Sequence, residues 1–155
     1  MTPRHLETGN TEILARTIAD RTGCDLYRIE ASDPYSGNYD DTVARNVREQ
    51  DADARPGIAQ PLPDIRGYGT LILASPIWNV RPPMIMSTFV DGLDVTGKSL
   101  LPVVTYAVSG LGSSPDVYRA AAPSAVIGPG LAVRGETVPD CGAQLNRWLS
   151  DAGIR

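Results

Sequence analysis

The chain has 155 residues, of which 42% are hydrophobic, 21% charged and 6% aromatic, the balance of one globular domain that closes a core without disulfides or metal. That balance argues against disorder, collagen-like repeats and coiled coils. Basic residues number 14, all arginine except Lys98, against 18 acidic ones, and the net charge of -4 is opposite to that of a typical nucleic-acid binder.

No apolar run approaches a membrane span, and Met1 to Asn10 lacks the apolar centre of a secretion signal. As written, the chain is expected to be soluble and cytoplasmic, with secretion open if an upstream segment carries a leader. Cys24 and Cys141 lie far apart without a Cys-x-x-Cys, and His5 is the single histidine. Structural zinc sites, Cys-His nucleophile pairs and triads therefore lack parts. The cysteines read as small apolar residues, one at a strand start and one on a helix face.

In chain order, Asn10 to Thr22 places Ile13, Leu14, Thr17 and Ile18 on one face, and Gly23 supplies a left-handed stop, which predicts an amphipathic helix. Cys24 to Glu30 alternates weakly, as expected of a strand near a sheet edge. A turn-rich connector leads to a second helix, Tyr39 to Asp51, with acidic residues at its start. Ala52 to Pro63, rich in proline, is a loop. Tyr68 to Ala74 is continuously apolar, which suits a central parallel strand covered on both faces. A helix from Pro83 through Phe89 to Leu93 follows, then a buried strand, Leu100 to Val108. Next come a short helix at Asp116 to Ala121 and a strand from Ala125 to Val133, interrupted at Gly128-Pro129-Gly130. The last helix begins near Pro139 and carries Val138, Cys141, Leu145, Trp148 and Leu149 toward the core. This alternation describes one doubly wound α/β sandwich with parallel strands.

Ligands in such a sheet sit beyond the carboxyl ends of the strands, which singles out three loops. Thr8-Gly9-Asn10-Thr11 precedes the first helix and offers hydroxyls, an amide and backbone N–H groups suited to a phosphate; an ordinary helix cap uses the same residue types. Ser75 to Pro83 holds Trp78 between prolines, where the indole either stacks on a flat heteroaromatic ligand or folds down to cap the sheet. Thr105 to Ser114 is rich in small residues, which either admit the edge of a planar ring or form a mobile connector.

As a set, Thr8-Gly9-Asn10-Thr11, Ser75-Pro76-Ile77-Trp78, Phe89 before Gly97-Lys98, Ser109-Gly110-Leu111-Gly112 and Gly130 to Gly135 resemble the flavodoxin-like family from Thr8 onward. The resemblance implies a flavodoxin-like three-layer sandwich, strand order 2-1-3-4-5, and noncovalent FMN. It implies that Thr8, Gly9, Asn10 and Thr11 hold the phosphate without a cationic side chain. Pro76, Ile77, Trp78 and Asn79 would flank one face and edge of the isoalloxazine, with Tyr106, Ser109, Gly110, Leu111 and Gly112 on the other side. The deazaflavin F420 stays open as the ring.

The amino end departs from the family. An apolar central first strand is expected before the phosphate loop, yet Met1 to Glu7 contains Pro3, Arg4, His5 and Glu7, costly in a doubly covered position. The first strand is therefore expected to be degenerate or absent and residues 1–7 irregular, through a late start, a shortened protein or a strand from another chain. A vacant slot predicts a homodimer through it or poor stability. The reading is an FMN-binding redox protein that carries electrons between partners, with a redox protein or a small acceptor such as a quinone as partner. The alternative is a shortened flavodoxin-fold binding or assembly module without FMN.

Overall fold

In a computed structural model, which describes residues 9–154, the first periodic segment is helix α1 (Asn10–Thr22), with Leu14 and Ile18 buried. It ends at Gly23, whose N–H donates to the Ala19 carbonyl at 2.7 Å. Helix α2 (Tyr39–Asp51) starts at Asn38, whose side chain accepts the Asp41 N–H at 3.0 Å, and Asp40 and Asp41 lie where the helix dipole favours negative charge. Then follow β1 (Thr70–Pro76), α3 (Met84–Asp91), β2 (Ser99–Tyr106), α4 (Ser114–Ala121), β3 (Val126–Ile127) and β4 (Leu131–Arg134). A 3-10 segment, Gly135–Asp140, leads into α5 (Gly142–Asp151).

All four strands are parallel. β1 pairs with β2 along its length, from Thr70 opposite Ser99 to Pro76 opposite Thr105. On the other edge of β2, β3 pairs with Ser99 and Leu100, and β4 with Val103 to Tyr106. Between those two stretches the register slips by one, so that residues 128–130 oppose only Leu101 and Pro102. Pro102 has no N–H to give to the ladder, which explains why the pairing breaks opposite it. Side chains alternate across β2. Leu101 and Val103 join Leu14, Ile18, Leu131, Val133, Leu145 and Trp148 on one face, and Leu100 joins Leu73, Met86, Phe89, Val90 and Tyr118 on the other. Helices α1 and α5 thus cover one side of the sheet, and α3 and α4 the other, as expected of a parallel sheet.

The structure departs from the sequence reading in three places. Cys24 to Glu30 forms no strand ladder among the described residues, because a strand requires a hydrogen-bonding neighbour as well as an apolar pattern. Its Tyr27 ring instead lies 5.6 Å from Phe89, and Ile29 packs on the same core. Secondly, β1 is less buried than its apolar run predicts: among the described residues it pairs on its β2 side, and only Leu73 and Ser75 are fully buried, although Ile72 and Ala74 pack on one core and Leu71 and Leu73 on the other. Thirdly, α5 starts at Gly142, after Pro139 has been accommodated in the 3-10 segment. Cys141 is buried as expected, whereas Cys24 is exposed, and both are free.

Two places concentrate energy. Trp148 is 4% exposed and its indole N–H donates to the Pro129 carbonyl at 2.9 Å, satisfying an acceptor at the break between β3 and β4. Residues Trp78 to Arg81 form a tight turn closed by hydrogen bonds of 2.9 and 3.2 Å between their backbones. Its central residues have positive φ, 51° at Asn79 and 72° at Val80. Asparagine tolerates this region, but a β-branched valine is strained there. Trp148→Ala is expected to lower stability by about 3–5 kcal/mol, read from the urea midpoint at unchanged m. Val80 is 52% exposed and loses little burial on replacement, so Val80→Asn should raise stability by about 1 kcal/mol in the same assay; a loss would show that the turn carries no strain.

Candidate functional site

The carboxyl ends of the strands converge on one open cavity of about 460 Å³, within the size range of small-ligand pockets. Its walls are Asn10 at the start of α1, Pro76 and Ile77 after β1, Thr105, Tyr106 and Ala107 at the end of β2, and Arg134, Gly135 and Glu136 after β4. These residues meet because adjacent parallel strands all end on the same side of the sheet. Ile77 prolongs the β1–β2 ladder, its N–H donating to the Thr105 carbonyl at 3.0 Å.

At one wall stands the start of α1. Gly9 is its N-cap and no side chain among the described residues caps the helix, and the N–H groups of Asn10, Thr11 and Glu12 have no intrahelical acceptor. The Thr11 and Thr105 hydroxyls share a hydrogen bond of 2.6 Å, which ties this helix start to the end of β2. Gly135 lies against the same place. A Cβ there would come within 2.6 Å of the Asn10 side-chain nitrogen, so a larger residue would push the Asn10 amide aside. Among the described residues the cavity's charged groups are Arg134 and Glu136, 3.9 Å apart, with the Arg134 guanidinium 5.9 Å from the Tyr106 ring centre.

Beyond Ile77 the chain enters the Trp78 turn, which neighbouring segments hold from two sides. From α2, the Gln50 amide donates to the Trp78 carbonyl at 3.0 Å and accepts from the Asn79 side chain at 2.7 Å. Tyr35 meets the Trp78 ring edge-on, with centroids 5.3 Å apart. The Arg45 guanidinium lies 3.8 Å from the Tyr35 ring centre, and Glu49 pairs with Arg45 at 2.9 Å and accepts the Tyr35 hydroxyl. Burial, then the hydrogen bond to Glu49, pushes the Tyr35 phenol well above its ordinary range, so it stays a neutral donor. From the other side, the Ser113 N–H and hydroxyl donate to the Val80 carbonyl at 2.7 and 3.1 Å. Gly112, at φ 55°, has no room for a Cβ, which would stand 2.1 Å from the same oxygen.

Of the residues singled out from the sequence, Asn10, Pro76, Ile77 and Tyr106 line the cavity. Gly9 and Thr11 adjoin it through the helix start, and Thr8 lies outside the described residues. Trp78 and Asn79 sit one step past the cavity wall, Trp78 half-buried and Asn79 exposed. Ser109, Gly110, Leu111 and Gly112 form the turn that braces Val80 and are not cavity walls, with Leu111 packed against Gly130. Thr105 and Ala107 belong to the Thr105 to Ser114 loop singled out from the sequence without being named as site residues, whereas Arg134, Gly135 and Glu136 were given no role at the site. Their signal was positional: each lies at or just beyond the carboxyl end of a buried strand.

A family model described as Flavodoxin matches residues 5–152. A candidate flavoprotein of Bacteroides eggerthii is similar in structure, with a TM-score of 0.79 and 24% identity, over 96% of this chain and 93% of that one. A candidate flavoprotein of Bacteroides uniformis follows with a TM-score of 0.74 and 24% identity, over 86% and 90% of the two chains. A flavoprotein of Lactobacillus acidophilus, solved in complex with FMN, has a TM-score of 0.71 and 16% identity, over 89% of each chain. Among curated proteins there is no significant match. With a family match that spans nearly every described residue, on a parallel sheet whose strand ends form the cavity, the chain belongs to the flavodoxin family.

Proposed function

We propose that this chain binds FMN noncovalently at the strand ends and works as a flavodoxin-like electron carrier, delivering electrons to a redox partner protein or to a small acceptor such as a quinone. The observation that carries this reading is the convergence of a helix start, uncapped among the described residues, and three strand ends on a single cavity. The donor set fits the cofactor: free N–H groups and a threonine hydroxyl suit a phosphate, and Pro76, Ile77 and Tyr106 offer apolar and aromatic surface to a flat ring. Bound FMN would supply one- and two-electron chemistry, which no side chain here provides.

In this reading the chain's residues bind and orient. Gly9, Asn10 and Thr11, with Thr8, hold the phosphate; Pro76 and Ile77 set one wall; Tyr106 sets the other; and Trp78 and Asn79 stand beyond Ile77 at the ring's face and edge. The Ser109 to Gly112 turn acts at one remove, by bracing Val80. The acidic balance of -4 suits a basic partner, weakly, since the charge is modest. The edge of β1 with no ladder among the described residues is where a second copy would pair if the protein dimerises.

The purified chain is expected to show a flavin absorption band, or to bind FMN saturably after removal of endogenous ligand, with quenching of tryptophan fluorescence. A colourless protein that ignores added FMN would favour the non-flavin binding module. If Trp78 stacks on the ring, Trp78→Ala should weaken FMN binding by about 1–3 kcal/mol in the same titration, and unchanged affinity would make Trp78 a cap of the sheet.

A further inference from the structure

We infer, on the basis of the FMN reading above, that Gln50 is a positioning residue for the cofactor: its side-chain amide holds the Trp78 turn so that the indole meets the ring in one orientation. In this view helix α2 serves the site rather than the core. Its side chains are distributed the opposite way from those of a helix that closes a sheet. Tyr39, Val43 and Val47, spaced four residues apart, are 80%, 43% and 40% exposed, and the one fully buried α2 residue is the polar Asn46. Among the described residues, no α2 side chain belongs to either hydrophobic core. A helix of 13 residues is marginal by itself, and apolar burial does not hold this one.

Polar contacts hold it instead, and they lead to the Trp78 turn. Arg45 donates to the Asp33 and Pro34 carbonyls at 2.8 and 3.2 Å, and pairs with Glu49, which accepts the hydroxyl of Tyr35, the ring that meets Trp78 edge-on. Gln50, one residue further on, reaches the turn directly through Trp78 and Asn79. The sense of both bonds is fixed by chemistry. The Trp78 carbonyl only accepts, so the Gln50 amide nitrogen faces it and the Gln50 oxygen is left for the Asn79 side chain.

The carbonyl that Gln50 holds belongs to the peptide between Trp78 and Asn79, immediately before the pair with positive φ. It also accepts the Arg81 N–H at 3.2 Å, so its two lone pairs are both used and the peptide plane is pinned from α2 and from across the turn. Without Gln50, one of these two restraints is gone and the Asn79 amide loses its partner. The strained pair then relaxes into other conformations, and fixing the indole against a ring has to be achieved at the moment of binding. Gln50 is not a wall of the cavity, so it acts on the ligand through the turn.

The test is a titration of the wild type, Gln50→Leu, Gln50→Glu, Trp78→Ala and the double variant Gln50→Leu/Trp78→Ala with FMN, with the urea midpoint of each ligand-free protein as a control for stability. Leucine and glutamate are both good helix formers, so neither weakens α2 by propensity. In Gln50→Leu the FMN affinity should fall roughly five-fold, and the fluorescence of bound FMN at saturation should rise as the indole stacks less. In the Trp78→Ala background the same substitution should change the affinity by less than about two-fold, because a residue that acts through Trp78 has nothing left to act on. A carboxyl at this position reproduces the amide's donor and acceptor only when protonated. The affinity of Gln50→Glu relative to wild type at the same pH should therefore be lowest near neutrality and recover as pH falls through that carboxyl's titration, while Gln50→Leu shows no recovery. Equal losses with and without Trp78, an undiminished affinity in Gln50→Leu, or no recovery of Gln50→Glu at low pH would overturn the inference while leaving the FMN site in place. A wild type that binds no FMN would instead overturn the reading on which the inference rests.

Discussion

Strand β2 is hydrogen-bonded along both edges and buried on both faces, and the position of every wall of the cavity follows from it. Leu100, Leu101, Val103 and Val104 are almost fully buried, so the strand can neither slide nor rotate without exposing one of the two cores. A one-residue slip would turn Leu101 and Val103 away from α1 and α5 and send Thr105 to the wrong side of the sheet. In the observed register Thr105 points toward α1 and meets Thr11, which locks the helix start to the strand end. The ladders then carry the constraint sideways, to Pro76 on one edge and to Arg134 on the other. Three wall segments are thereby placed by backbone pairing alone, and none depends on the conformation of a long side chain.

The Trp78 turn is organised by a different principle. It has no place in the sheet beyond Ile77, and its backbone conformation is unfavourable at Val80. It persists because contacts from both sides over-determine it: Gln50 and Tyr35 hold the Trp78 side, while Ser113 and the close approach of Gly112 hold the Val80 carbonyl. Strain compensated by surrounding contacts is a recurrent property of ligand-binding segments, since a turn fixed beforehand loses little entropy when a ligand arrives. The Arg45, Glu49 and Tyr35 cluster extends this support one layer further back.

Elements whose identity depends on local pattern were legible in the sequence. Helix α1 ends at Gly23 and α2 spans Tyr39–Asp51 as the periodicity requires, and the interruption at Gly128-Pro129-Gly130 is where β3 gives way to β4. What was not legible depends on partners distant in sequence. Cys24 to Glu30 has a strand's composition, but no pattern of its own reveals whether another strand lies alongside it. The site divides in the same way. Asn10, Pro76, Ile77 and Tyr106 were found because loops after strands are where ligands bind, whereas Arg134, Gly135 and Glu136 look like an ordinary charged turn until the β2–β4 register sets them against Asn10. The glycine-rich turn after β2, which the sequence reading sets beside a ring, also presses against the Val80 carbonyl, an approach that leaves no room for a Cβ at Gly112.

The edge of β1 connects stability to the site. Its N–H and C=O groups on the side away from β2 have no ladder partner among the described residues, and Leu71, Ile72 and Ala74 are only half-buried. An unpaired strand edge opens at less cost than a strand such as β2, whose groups are paired on both sides. Pro76 and Ile77, the continuation of β1, form one wall of the cavity. Whatever pairs with that edge therefore also steadies a wall of the cavity, and a ligand that fixes Pro76 and Ile77 in turn favours the closed state of the edge. The two equilibria are linked by thermodynamic reciprocity, without any contact between the ligand and the strand edge itself.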